Sequence, residues 1–155
     1  MSKPQFVYVT YIETTPEKLW EALTSSAFTR QYWFGAEVRS DWKVGSPFAL
    51  MLDGAVTDSG EILEADPPRR LSYSFKHQKY EELRNEPTSK VVFTLEPFGK
   101  LVKLTVLHQG FTEGSKYLDA VSKGWPAILS GLKSLLETGK VLEIPRAALG
   151  KDDAR

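Results

Sequence analysis

The sequence predicts an α+β fold in which a curved antiparallel sheet of seven strands wraps around a long C-terminal helix, with two short helices after the first strand. Three observations carry this. The chain opens on a β-branched and aromatic segment followed at once by helix-start signals. Its middle, Ala36 to Phe111, is a series of short alternating segments separated by Gly, Pro and Asp, and Ser115 to Thr138 carries a single apolar helical stripe. With no second sheet or helix layer in prospect, that stripe has one sheet face to bury against.

Each element has a local reason. Phe6-Val7-Tyr8-Val9-Thr10-Tyr11-Ile12 suits a pleated, half-buried surface and is the first strand. Thr15-Pro16-Glu17 then supplies a capping hydroxyl, a preset helical φ and an acid near the positive end of the helix dipole, ahead of Leu19, Trp20 and Leu23. Ser25 or Ser26 can cap a second helix running through Tyr32-Trp33-Phe34, with Gly35 placed to end it. Six strands follow, at Glu37 to Arg39, Phe48 to Leu52, Val56 to Glu64, Arg70 to His77, Lys90 to Glu96 and Leu101 to Gln109. Asp53-Gly54 is the strongest hairpin signal among the breakers, and Pro47 marks a strand start or an edge. In the last segment Tyr117, Val121, Trp125, Ile128, Leu132 and Leu135 form the stripe and Gly139 the stop. Pro126 removes a donor, so a kink or restart is expected near Gly124-Trp125, with the bulk of the helix from Trp125 to Glu137.

Alternation places Leu71, Tyr73, Phe75 and His77 on one face, with Val91, Phe93 and Leu95 and with Leu104, Val106 and His108 as matching sets beneath the helix. No repeat or low-complexity block divides the chain, so one domain is expected over residues 1–139 and a mobile tail over 140–155.

Composition limits the function. The 155 residues are 41% hydrophobic and 12% aromatic, which is enough for a core of one domain, and no apolar run is long enough for a membrane span. Twenty basic side chains balance twenty acidic ones, which removes the usual electrostatic pull toward nucleic acid or anionic lipid. The absence of Cys excludes disulfides, thiol nucleophiles and thiolate metal sites, and the first residues show no secretory apolar core. A cytoplasmic monomer is expected.

Motifs for chemistry are missing as well. His77 and His108 are the only histidines, and no His-Glu-x-x-His spacing accompanies them, so no metal and no cofactor is expected. His108 has an unperturbed pKa of about 6.5, suitable for a general base, yet the sequence places no carboxylate to orient it, and a hydrogen-bonded structural histidine is the favoured reading. No Gly-x-Ser-x-Gly occurs, and Gly124 and Gly131 are too far apart to cradle a phosphate. Glu61, Glu64 and Asp66 read as a solvated face. The mixed-charge stretch Gln78 to Thr88 is long for a hairpin connection; with Tyr80 and Leu83 it is either a plain solvated loop or a cover over a pocket mouth.

At this point the residues reach a family. Gly60-Glu61-Ile62-Leu63-Glu64-Ala65-Asp66-Pro67-Pro68-Arg69-Arg70-Leu71-Ser72-Tyr73-Ser74-Phe75, then Leu107-His108-Gln109-Gly110-Phe111, then Gly124-Trp125 with Leu129, Leu132 and Glu137-Thr138-Gly139, resemble the heat shock protein 90 ATPase activator homologue family. Thr15-Pro16-Glu17-Lys18-Leu19-Trp20 and Trp33-Phe34-Gly35 extend the resemblance to residues 5–139. That family lies in the START-like helix-grip superfamily, also called SRPBCC, and the resemblance implies a helix-grip fold. It also implies a cavity between sheet and helix for a small hydrophobic molecule such as a lipid, polyketide or flavonoid-like compound. Trp33, Phe48, Tyr73, Phe75, Phe93, His108, Trp125 and Leu129 would surround it, with Tyr73 and His108 able to orient a ligand; the alternative is that these side chains simply close the core.

Non-enzymatic binding of such a ligand is the first functional expectation. The second is a chaperone accessory that promotes the ATPase of heat shock protein 90 through its surface. Against it stands the separate N-terminal chaperone-binding domain of the eukaryotic activators, for which a chain of this length has no room. The third is a cyclase or hydratase working inside the cavity, for which no constellation speaks.

Overall fold

The computed structural model describes residues 4–145. Its elements, in chain order, are β1 (Gln5–Ile12), α1 (Pro16–Thr24), α2 (Ser26–Tyr32), β2 (Glu37–Ser40), β3 (Pro47–Leu52), β4 (Ala55–Asp66), β5 (Arg70–His77), α3 (Glu81–Arg84), β6 (Ser89–Phe98), β7 (Leu101–Gln109) and α4 (Lys116–Thr138). The strands form one antiparallel sheet in the order β1-β7-β6-β5-β4-β3-β2. Six strands are thus joined to their sequence neighbours, and β1 closes against β7 at the opposite edge from β2.

The expected helix starts are present. Thr15 Oγ1 accepts from the Lys18 amide at 3.2 Å, with Pro16 in the first turn. α2 ends earlier than expected, at Tyr32: the Ala36 amide bonds the Trp33 carbonyl at 2.8 Å, and the turn puts Trp33 into the core, 1% exposed. β3 begins at Pro47, where the missing amide costs no ladder bond, and Asp53-Gly54 joins it to β4 by the expected tight hairpin. Gly60 has a different role. A Cβ there would lie 1.9 Å from the Ser74 carbonyl oxygen, so the close passage of β4 over β5 requires glycine.

The C-terminal helix corrects one expectation. α4 is continuous for 23 residues across Pro126, with no restart at Gly124-Trp125. Proline deletes one backbone bond, whereas Tyr117 and Val121 before it and Ile128, Leu129 and Leu132 after it are all buried by at least 98%. Packing on both sides therefore outweighs the lost bond. Ser115 caps the helix start through Oγ to the Leu118 amide at 2.9 Å, and Gly139 ends it with φ 82°.

Alternation assigns the faces correctly. Leu71, Tyr73, Phe75 and His77 on β5, Val91, Phe93 and Leu95 on β6, and Leu104, Val106 and His108 on β7 are all buried. The β5–β6 connection departs from a plain solvated loop. It holds α3 and buries Leu83, while Lys76 Nζ donates to the carbonyls of Arg84 and Glu86, both at 2.8 Å. Of the expected tail, Val141 packs against the core and Ser134 Oγ donates to the Lys140 carbonyl at 2.6 Å; residues 146–155 lie outside the described residues. No helix is long and apolar enough to cross a membrane among the described residues.

Candidate functional site

The eight side chains singled out in the sequence come from five elements and the turn after α2, and they meet. Trp33 and Trp125 rings lie 5.3 Å apart, and Trp125 stands edge-on to Phe93 at 5.8 Å. Phe93 touches Tyr73 at 5.8 Å, Tyr73 stacks on Phe48 at 3.9 Å, and Phe48 lies 6.2 Å from Phe75. Phe75 is edge-on to His108 at 5.3 Å, and His108 closes the circuit to Trp125 at 6.1 Å. Leu129 joins the same core. All eight are at most 2% exposed. The rings interlock between the concave sheet face and α4 in a mixture of stacked, tilted and edge-on contacts.

The polar groups of His108, Tyr73 and Trp33 decide what the interior can recognise. His108 uses both ring nitrogens within the protein: Trp125 Nε1 donates to Nδ1 at 3.1 Å, and Nε2 lies 2.8 Å from Ser89 Oγ. Because Nδ1 accepts, the proton sits on Nε2 and points to Ser89, whose own hydroxyl donates to the Phe75 carbonyl at 2.7 Å. Both ring nitrogens are thereby engaged. The ligand-orienting part expected of His108 is therefore taken up by this chain of bonds. Tyr73 is held protonated: burial first, then the nearby Tyr32 and Asp58, pushes its phenol well above the ordinary value. Trp33 Nε1 is different, because it is a buried donor with no partner among the described residues.

A second polar group was not visible in the sequence as a unit. Asp58 on β4 is the register partner of His77 on β5, and both are fully buried. His77 Nδ1 lies 3.1 Å from Asp58 Oδ2, which also accepts from the Tyr117 hydroxyl at the start of α4. Glu86, next to α3, reaches the same helix start and accepts from Ser115 Oγ and from the amides of Lys116 and Tyr117. The one signal for the Asp58–His77 pairing was the alternation that turns His77 inward; its partner depends on strand register. Among the described residues no three His, Asp or Glu side chains converge as a metal site would need.

A single sheet wound around a long helix, with an aromatic interior, defines a protein of the START-like, helix-grip class. The family described as Activator of Hsp90 ATPase homolog 1-like protein matches residues 13–137, and the chain belongs to it. No curated protein matches the sequence. Among solved structures, protein MLL2253 of Mesorhizobium loti is 28% identical with a TM-score of 0.74, over 86% of this chain and 96% of that one. ChR145 of Cytophaga hutchinsonii is 29% identical with a TM-score of 0.67, over 88% and 96%. PFC0360w, described as an HSP90 activator from Plasmodium falciparum, is 23% identical with a TM-score of 0.70, over 85% and 95%, and shares the fold.

Proposed function

We propose that the protein binds a small, largely apolar molecule between the sheet and α4 and releases it chemically unchanged. One observation carries this reading: Trp33 Nε1 is a buried donor without a partner among the described residues, set against the Trp125 ring inside the aromatic core. Buried donors are nearly always satisfied, so an orphan among aromatic rings is a place for an acceptor from outside the chain. The ligand class that fits is apolar in bulk and carries one carbonyl, ether or hydroxyl oxygen. Burial of its apolar area supplies the affinity and Trp33 the orientation. Because the rings touch one another, entry requires their rearrangement, which favours flat molecules that slide between them.

The test is titration of isotope-labelled protein with fatty acids, sterols, flavonoids and aromatic polyketides, followed through the Trp33 indole N–H resonance. A saturable shift shared with Tyr73, Phe93 and Trp125 amides supports the reading. An indole signal that no compound moves, or one already exchanging with bound water, defeats it. Recovery of the ligand unaltered by mass spectrometry after long incubation separates carriage from catalysis.

A second reading has one supporting observation, the family's own description together with a neighbour described as an HSP90 activator. There the outer surface would act, and the exposed side chains of the segment Lys79 to Arg84, which leave out the buried Leu83, are the first place to alter. If substitutions there weaken chaperone binding while Tyr73→Phe does not, the surface reading displaces the cavity reading.

A further inference from the structure

The Asp58–His77 pair sits at the end of the interior that α3 covers, and neither the fold nor the Trp33 site accounts for one of its atoms. His77 Nδ1 faces a carboxylate oxygen at 3.1 Å and so carries the ring proton. In the neutral form of an imidazole with its proton on Nδ1, the other ring nitrogen, Nε2, holds a lone pair. That atom is fully buried and meets no hydrogen-bond partner among the described residues.

The walls around it are aromatic. Tyr80 lies nearly parallel over the imidazole, 5.5 Å between centroids and 14° between planes, and Tyr117 stands edge-on at 5.5 Å. Asp58, held also by the Tyr117 hydroxyl, fixes the ring's tautomer and orientation. Tyr80 is 38% exposed and leads into α3, so the segment that shields Nε2 is also the one in contact with solvent.

We propose that His77 Nε2 is a second recognition point of the interior, accepting a hydrogen bond from the hydroxyl of a hydroxylated aromatic ligand that enters beneath Tyr80 and α3. The proposal rests on the binding reading above and narrows its ligand class. A lone pair selects for a donor: a ketone, an ether or a carboxylate, which only accept, finds nothing at this atom. Flat aromatic walls select for a flat aromatic body.

The experiment uses 2-naphthol and its methyl ether, two probes of nearly the same shape of which only the first donates, with protein carrying nitrogen-15 in its histidines. Naphthol should shift the His77 Nε2 resonance toward that of a hydrogen-bonded nitrogen and bind about tenfold more tightly than the ether, the worth of one buried hydrogen bond. In His77→Phe that preference should vanish. Since this substitution also takes a donor from buried Asp58, the wild-type comparison of the two probes stands as a test by itself. Equal binding of both probes with Nε2 unmoved overturns the His77 site and leaves the carrier reading in place. So does an Nε2 resonance that is already hydrogen-bonded in the ligand-free protein, which assigns the atom to water. If neither probe binds while the Trp33 indole responds to other compounds, the hydroxyl site is overturned alone; if nothing moves either resonance, both readings fail together.

Discussion

At the residue scale, the interior is organised by a few polar atoms whose partners are set by distance. Tyr32 donates through its hydroxyl to the Ala22 carbonyl at 2.7 Å, and burial pushes its phenol far above the ordinary range. Tyr32→Phe should therefore cost about 1 kcal/mol in urea unfolding and leave the fold intact. Glu137 is the contrasting case, a partly exposed carboxylate at the end of α4. Its hydrogen bond from Lys133 at 2.7 Å, then one from the Glu13 amide at 2.8 Å, hold its pKa below the usual range. A lowered folded pKa means a contribution present above the unfolded value, about 4.3, and lost as pH falls through the folded one. Glu137→Gln should be less stable than the parent at neutral pH and equal to it in strong acid. A difference that persists in acid would assign the effect to packing instead of charge.

At the scale of elements, β4 and α4 depend on features that a secondary-structure pattern does not display. Gly60 lets β4 pass over the Ser74 carbonyl, and the Glu61 amide then bonds Ser74 Oγ at 2.9 Å. Gly60→Ala should cost about 1 to 3 kcal/mol, read from denaturant unfolding, because a backbone atom has to move to admit the methyl group. Glu86 bridges the α3 segment to the start of α4. Its carboxylate takes the Lys116 amide at 3.0 Å and the Tyr117 amide at 3.2 Å, where the helix dipole also favours negative charge. Removing it as Glu86→Ala should cost about 1 kcal/mol and raise amide exchange selectively in residues 78–88. Uniform exchange across the domain would show that this bond does not hold the segment down.

At the scale of the molecule, one helix closes one sheet, so damage at their contact is global. Trp125 meets Trp33, Phe93 and His108 at once, and Trp125→Ala should cost about 3 to 5 kcal/mol, enough to unfold much of the population at moderate temperature. For that reason Tyr73→Phe is the better probe of ligand affinity. Charge acts differently at this scale. With zero formal net charge the molecule has no long-range field to steer polyanions, so binding of an uncharged apolar ligand should change less than about twofold between roughly 0.05 and 0.5 M salt. A steep salt dependence would point to a charged ligand or to a surface partner.

The order of elements, the faces of β5, β6 and β7 and the stripe of α4 were legible because each is written as a local period, two for strands and 3.6 for the helix. Tyr73, Phe75, Phe93, His108 and Trp125 were legible for the same reason, since alternation and stripe say which residues share a face, whereas Trp33, Phe48 and Leu129 were added by the family resemblance. The sequence also excluded disulfides and thiol chemistry outright, by having no Cys. Tertiary structure decided the rest. The pairing of Asp58 with His77 follows from strand register, and the engagement of His108 by Ser89 and Trp125 from how α4 lies across the sheet. That the Trp33 and His77 nitrogens have no partner among the described residues is a property of what fails to reach them. Periodicity describes neighbours along the chain, whereas a hydrogen bond depends on about half an ångström between residues far apart in it.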